Sequence, residues 1–372
     1  MNEILTEVEA NEVTDRDNLA VIYSVESLEA IPLKDRIELV HLKDCGYTTI
    51  CEKGHKVGDK VLFVKYDTVL PKIDMFSWMA DFKYRVKPKT FTKRDEFDNI
   101  IKKIYSQGIV ITAEVVKEYL ATVDEIAVDV DSVFIYEGCD LTKALGVTKY
   151  IPPAISGGSS FGNMLKKGDF PTHIISKTDE SNVCSRMKAL DEIQGKSVYI
   201  TQKIEGSSVT FYLDDATGEL IVCSRNNMLS ETETNKFWQG VNKNDIFNKL
   251  SSMPWLVCQA ELYGVGVQKN KLGIEGVDIA IFNMADKRTR KRLGFQEMTE
   301  IALAFELPLV PLVCTINSFD WSFDKLQAYA DIQKYANGEV AEGIVIRPFE
   351  PFFSNVLKED WSVKCINRDY KL

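Results

Sequence analysis

A run of turn-forming residues divides this 372-residue chain into two segments of different pattern. Between residues 150 and 183 stand Pro152-Pro153, Gly157-Gly158-Ser159-Ser160, Gly162 and Pro171, a composition that ends strands and helices and reads as a connection. Before it, β-branched and aromatic residues cluster in short runs at 20–28, 36–42, 47–51 and 60–65, with Gly54 and Gly58-Asp59 as turns. The pattern also predicts a helix over 113–121. Such spacing suits a small closed barrel, and fits an OB-fold, an SH3-like barrel or a sandwich equally. After the connection, strands are predicted at 197–203, 207–213, 219–224, 256–262, 277–284, 309–313, 343–348 and 361–366, with helices at 295–306 and 322–336. Asp214-Asp215-Ala216-Thr217-Gly218 makes a hairpin turn. Strands this close in sequence pair antiparallel, so the expected class is α+β rather than doubly wound. The expected division is an acidic tail over 1–18, a barrel over 19–149, the connection over 150–183 and a second domain over 184–372.

Composition excludes several classes. No apolar run approaches the ~20 residues that span a bilayer. The first eighteen residues carry six acids and one arginine, unlike a signal peptide. The eight cysteines contain no C-x-x-C pair and read as buried thiols of a cytoplasmic protein. None of the three histidines, His41, His55 and His173, neighbours a candidate nucleophile. A net charge of −10 argues against broad nonspecific binding to nucleic acid. Two local runs are nevertheless basic. Eight Lys or Arg residues against three acids lie between Lys83 and Lys103, interleaved with Phe82, Tyr84, Phe91 and Phe97, and Lys287-Arg288-Thr289-Arg290-Lys291-Arg292 forms the second run. Each reads either as a solvated loop or as a phosphate-contacting patch.

Within the second segment, polar residues interrupt or end the predicted strands, and most are types suited to a nucleoside triphosphate. Lys203 closes the run Val198-Tyr199-Ile200-Thr201-Gln202 and is followed by Glu205-Gly206. Ordinary composition yields a Lys-x-acid-Gly string ~0.2 times in a chain of this length, so the string alone says little. Downstream come Ser224-Arg225-Asn226, Glu261, Phe282, Glu342-Gly343 and Lys364, each at a strand end or within a strand. A lysine that attacks phosphorus must be neutral, and at a pKa of ~10.4 only about one in 2500 is neutral at pH 7. A second cation at ~4 Å would disfavour protonation by about 4 kcal/mol, so Lys364 or a divalent metal is the expected neighbour. Glu205, Glu261 and Glu342 offer hard oxygen ligands for Mg²⁺ or Mn²⁺. Phe282 offers a flat apolar face for a base, although its alternation with apolar neighbours fits ordinary core as well. Arg225 offers a bidentate donor to ribose or phosphate, or a structural ion pair.

The order and approximate spacing of these six elements resemble the covalent nucleotidyltransferase superfamily of ATP-dependent ligases and capping enzymes. Thr178-Asp179-Glu180 before the lysine and Ser224-Arg225-Asn226 after it are most similar to RNA ligases. Asp35-Arg36-Ile37-Glu38, Lys56-Val57-Gly58-Asp59, Asp67-Thr68-Val69-Leu70-Pro71, Ser106-Gln107-Gly108 and Leu145-Gly146-Val147-Thr148-Lys149-Tyr150 resemble RNA ligase family 5. That family places an OB domain before the catalytic one. The chain ends soon after Lys364, whereas DNA ligases and capping enzymes continue into a C-terminal OB domain.

The resemblance implies an N-terminal OB-fold barrel followed by an antiparallel-sheet, ATP-grasp-like nucleotidyltransferase domain. It implies an ATP-dependent RNA ligase that joins a 3′-hydroxyl to a 5′-phosphate through lysyl-AMP and AMP-RNA. ATP is then the substrate, Mg²⁺ or Mn²⁺ the metal, and RNA, as a nicked duplex or broken ends, the partner, with no obligate protein partner implied. Lys203 would carry AMP, Glu205 and Glu342 would position the metal, Glu261 would contact the ribose, Phe282 the adenine, and Lys364 the α-phosphate. Gln202, Arg225 and Asn226 would complete the nucleotide-binding set. The sequence departs from the family where a second basic residue is expected beside Lys364, since Ser362 and Ile366 stand there. A GTP-dependent capping enzyme and a noncatalytic RNA-binding module are the alternatives.

Overall fold

A computed structural model describes residues 18–31, 34–94, 100–123, 135–150, 166–177 and 179–370. Residues 1–17 of the acidic tail, residues 151–165 of the connection, Phe97 and Thr178 lie outside them. The chain divides into two compact units, residues 1–152 and 153–370.

The first unit is built on a five-stranded antiparallel sheet. Ala20–Ala30 pairs with Lys60–Lys65 through its first half and with Ile37–Leu42 through its second. A register shift between Val25 and Ser27 separates the halves, and such a bulge bends a strand enough to join two sheet faces. Thr48–Glu52 and Gly108–Thr112 form the two edges. These edges meet: Gln107 N donates to the Thr48 carbonyl at 2.8 Å, and Thr49 Oγ1 donates to the Gly108 carbonyl at 2.6 Å. The sheet is therefore nearly closed and barrel-like. Ala20, Ile22, Leu62 and Val64 line its fully buried interior, and Val116 of helix Ala113–Val123 plugs one side.

The second unit packs two largely antiparallel sheets around one site. In the seven-stranded sheet the order is Lys166–Asp169, Asn227–Leu229, Leu220–Cys223, Ser207–Leu213, Leu256–Gly264, Val277–Asp286 and Lys291–Arg292. In the five-stranded sheet it is Ser181–Asn182, Val363–Ile366, Gly343–Pro348, Val198–Lys203 and Leu312–Ile316. Only the Ser181–Asn182 pair runs parallel to its neighbour in that sheet. Helices Lys236–Lys243, Ile246–Ser251 and Phe295–Ala304 bury Phe237, Val241, Ile246, Leu250 and Met298 against the seven-stranded sheet.

Two predicted elements change. The strand expected at 309–313 starts at Leu312, because Leu309 bridges in parallel to Ile281 and Pro311 gives its carbonyl to Gln202 N. The helix expected to reach residue 336 stops at Asp331. Residues beyond it turn back, with Lys334 bridging Val340, and carry Tyr335 toward the site. All eight cysteines are free thiols, and among the described residues no helix is long and apolar enough to cross a membrane.

Candidate active site

The Lys-x-acid-Gly string is the corner where the chain leaves one sheet for the other. Val198–Lys203 ends with Lys203 opposite Gly343, and Ser207–Leu213 begins beside Leu256–Gly264 in the second sheet. A Cβ on Gly206 would sit 2.1 Å from the Leu262 carbonyl oxygen and 2.8 Å from Glu261 Cγ, so only glycine allows this crossing. Gly343 meets the same limit, with φ of +143° and the Cys365 carbonyl 2.1 Å from where a Cβ would lie.

Sheet register then collects the side chains. Lys203 and Thr201 face the same side as Gly343 and Val345, and Val345 stands opposite Lys364. Directly paired residues share a face, so Lys203 and Lys364 project into one space from strands separated by a single strand. Across that space, Glu261 and Phe282 come from the seven-stranded sheet. Phe282 is the extra residue where Gln259 pairs with Asn283 but Ala260 pairs with Ile281. It is half-buried against Ile204, Ala280 and Val310, so it is part core and part site wall.

Lys203 meets a carboxylate where a cation was expected. Its Nζ donates to Glu342 Oε2 at 2.9 Å. Burial would lower the lysine pKa, but Glu342, Glu261 and Glu180 outweigh it and hold the amine above its ordinary value, as an ammonium. The Lys364 Nζ lies 3.5 Å from Asp179 Oδ1. Burial pushes Glu261 up to about 8 against the pull of Lys203, with Glu342 and Glu180 adding to the rise.

Two acids just upstream organise the cations. Arg225 donates to Asp179 Oδ2 at 2.6 Å, so the Asp179 carboxylate lies between Arg225 and Lys364. Glu180 accepts from Arg347 at 2.5 Å. Burial alone would raise Glu180, but Arg347, with a smaller contribution from Lys364, holds its carboxyl at about 2. Arg347 is 2% exposed and also donates to the Phe282 carbonyl at 2.8 Å and to Ser362 Oγ at 3.0 Å. The Ser362 hydroxyl, at one of the two positions beside Lys364 where the family resemblance leads to a basic residue being expected, accepts from a buried guanidinium. Asn226 accepts from Lys177 at 3.1 Å, and Gln202 donates its side-chain amide to the Lys334 carbonyl at 2.8 Å.

Among the described residues, no three His, Cys, Asp or Glu side chains gather closely enough to hold a metal ion alone. The donor set nevertheless fits a hard cation that keeps water or phosphate oxygens in its shell. Glu205 Oε2 is buried without a hydrogen bond of ordinary geometry, as is the Tyr370 hydroxyl. Burial, then the Glu205 and Glu342 carboxylates, push the Tyr370 phenol upward. No motif marks Tyr335, Arg347 or Tyr370 in the sequence, and Asp179 and Glu180 stand out there only as part of a family string.

The basic runs divide. In the second, Lys287 is buried on Asp215 and the Leu213 carbonyl, Arg288 pairs with Asp286, and Arg290 donates to the Thr172 carbonyl. That run is largely structural. In the first, Arg85 stacks on Tyr150 at 3.4 Å and Phe91 packs beside Ile31 and Leu39. Phe82, however, is 49% exposed with Lys89 Nζ 5.0 Å from its ring centre, and Trp78, one turn earlier, is 54% exposed.

Residues 196–366, from the Lys203 strand through the Lys364 strand, match the model of the RNA ligase family. Three solved structures of Naegleria gruberi RNA ligase are similar to the chain beyond that region. A lysine-to-alanine variant with ATP and Mn has a TM-score of 0.75 at 25% identity, covering 95% of this chain and 98% of that one. A lysine-to-methionine variant with AMP and Mn gives 0.76 at 25% identity, and the enzyme with pyrophosphate gives 0.74 at 26%, each over 95% of this chain and 98% of the other. No curated protein matches the chain by sequence.

Proposed function

We propose that this protein is an ATP-dependent RNA ligase whose nucleophile is Lys203. The observation that carries this reading is the convergence of Lys203, Glu342, Glu261, Phe282 and Lys364 on one space between two sheets, inside a region that matches the RNA ligase family. The ATP, AMP, Mn and pyrophosphate bound by the Naegleria relatives are the substrate, products and metal of such a reaction.

In the first step the Lys203 ammonium gives up a proton, and the freed Nζ lone pair attacks the α-phosphorus of ATP. A P–N bond forms, the bond to the pyrophosphate oxygen breaks, and pyrophosphate leaves. Glu342 Oε2, already hydrogen-bonded to Nζ, is placed to hold the departing proton. An RNA 5′-phosphate oxygen then attacks the same phosphorus and the P–N bond breaks. Finally the 3′-hydroxyl attacks the activated 5′-phosphate, a phosphodiester forms and AMP leaves. Phe282 stacks on the adenine, Glu261 and Gln202 contact the nucleoside, and Lys364 with Arg225 and Asn226 contacts phosphate. Glu205 and Glu342 would hold Mg²⁺ or Mn²⁺, which when bound offsets negative charge on the α-phosphate.

We assign residues 19–149 to an OB-fold, supported by the strand order and near-closure of the barrel. Residues 184–372 form an ATP-grasp-like nucleotidyltransferase domain, with 150–183 as the link. The exposed Trp78 and Phe82 rings, with Lys83, Lys87 and Lys89 nearby in sequence, support RNA contact by the first unit, on a nicked duplex or broken ends. The free thiols suit a cytoplasmic setting.

The test is to incubate the protein with ATP labelled at the α-phosphate and Mn²⁺. Covalent label on wild type, and none on Lys203→Ala, is expected, with GTP labelling weakly. Absence of label on wild type, or persistent label on Lys203→Ala, overturns the reading.

A further inference from the structure

The hydrogen-bond ladder between the Lys203 and Gly343 strands ends at the pair Lys203–Gly343. Just beyond it, two backbone N–H groups turn to one side-chain oxygen. Glu205 N donates to Tyr335 Oη at 3.0 Å, and Glu342 N donates to the same oxygen at 3.2 Å. The Tyr335 hydroxyl in turn donates to the Lys203 carbonyl at 3.1 Å. A hydroxyl has one hydrogen to give and two lone pairs to offer, so this one is fully used. The ring is 3% exposed, which shields these bonds from competing water.

We infer that Tyr335 is a positioning residue for adenylyl transfer, its hydroxyl fixing the backbone of Lys203, Glu205 and Glu342 relative to one another. The inference rests on the function proposed above. The phenol takes the place of ladder rungs exactly where the two strands part, so the nucleophile and two carboxylates share one anchor. The anchor is itself held. Tyr335 N donates to the Glu339 carbonyl at 2.8 Å and Gly338 N to the Tyr335 carbonyl at 2.9 Å. The neighbouring Lys334 carbonyl accepts from Gln202, and Asn367 N donates to the Glu342 carbonyl at 3.0 Å. The three bonds that define the role reach backbone atoms only. Removing the oxygen should therefore disturb alignment of the attacking amine more than nucleotide affinity.

The experiment compares single-turnover self-labelling of the full chain with Tyr335→Phe over a range of ATP concentrations. The maximal rate constant is expected to fall about 10- to 100-fold, the scale of a misalignment of roughly 1 Å, while half-saturating ATP stays within about threefold. The amplitude of labelling counts the folded sites, so a merely structural role would reduce amplitude and leave the rate constant unchanged. An unchanged rate constant, or a loss confined to ATP affinity, overturns the inference. If Tyr335→Phe does not fold, p-aminophenylalanine at 335 keeps the size and the donor but accepts poorly. A reduced rate constant is then expected, and a wild-type one overturns the role. Failure of wild type itself to label would instead strike the proposed function, so the two failures are distinguishable.

Discussion

Lys203 Nζ lies 2.9 Å from Glu342 Oε2, joining two residues 139 positions apart in an ion pair. Glu342, with Glu261 and Glu180 nearby, holds the Lys203 amine above its ordinary pKa, as an ammonium. If Lys203 attacks ATP as proposed, that ammonium must first lose a proton, and Glu342 is the carboxylate hydrogen-bonded to it.

Replacing Glu342 by Gln should therefore separate basicity from reactivity. The Lys203 amine, freed of the closest carboxylate, is expected to titrate at lower pH, seen as faster acylation by an amine-directed reagent in mass spectrometry. Self-labelling from ATP should nevertheless fall about 100-fold or more, because the proton acceptor and a metal-positioning oxygen are lost together. Labelling at or above the wild-type rate would remove Glu342 from the chemistry.

Phe282→Leu tests stacking apart from packing. Leucine keeps an apolar side chain against Ile204, Ala280 and Val310 but has no ring face for a base. Base–aromatic stacking contributes about 1–3 kcal/mol, so half-saturating ATP should rise roughly 10-fold or more. The melting temperature, measured without nucleotide, should move little by comparison.

Glu180 makes a prediction for acid stability. Arg347 holds its carboxyl at about 2, below the ordinary 4.5. A depressed carboxylate contributes stability that is complete above its unfolded value and is lost as pH falls through the folded one. Glu180→Gln leaves the Arg347 guanidinium buried without its anion, which should cost about 3–5 kcal/mol near neutral pH. Urea titrations should show this deficit shrinking as the pH is lowered from about 4.5 toward about 2. A deficit independent of pH would mean that the pair does not carry the effect.

The exposed rings of the first unit make a prediction about RNA. Trp78→Ala with Phe82→Ala should weaken binding of a nicked duplex about 10-fold or more, measured by fluorescence anisotropy. Lys89→Ala should lower the dependence of that affinity on salt. Sealing should fall more than self-labelling does. Equal loss in both assays would place these rings outside RNA contact.

The strands that carry the site were legible because each is a short apolar run ended by a polar or turn residue. Val198–Lys203, Ser207–Leu213 and Gly343–Pro348 fall within a residue of expectation. Helix Phe323–Asp331 was read too long because Tyr329, Ile332 and Tyr335 continue a three-residue spacing after the backbone has turned away. Helix Lys236–Lys243 carries little signal in the sequence, because it is short, holds a glycine at 240 and has one clear start signal, the Asn235 cap on Phe237 N. Residue types pointed to Lys203, Glu261 and Lys364. They could not show that Lys203 meets a carboxylate rather than a cation, or that Asp179 lies between Arg225 and Lys364, since those pairings depend on sheet register across long separations.

The placement of Lys203, Gly343 and Lys364 on three consecutive strands gives the chemistry a ruler. Neighbouring strands lie about 4.8 Å apart because backbone hydrogen bonds allow little else. The spacing from Lys203 to Lys364 is thus inherited from the backbone and is indifferent to most side-chain replacement around it. Variation can reshape the rims of the site without resetting that scale.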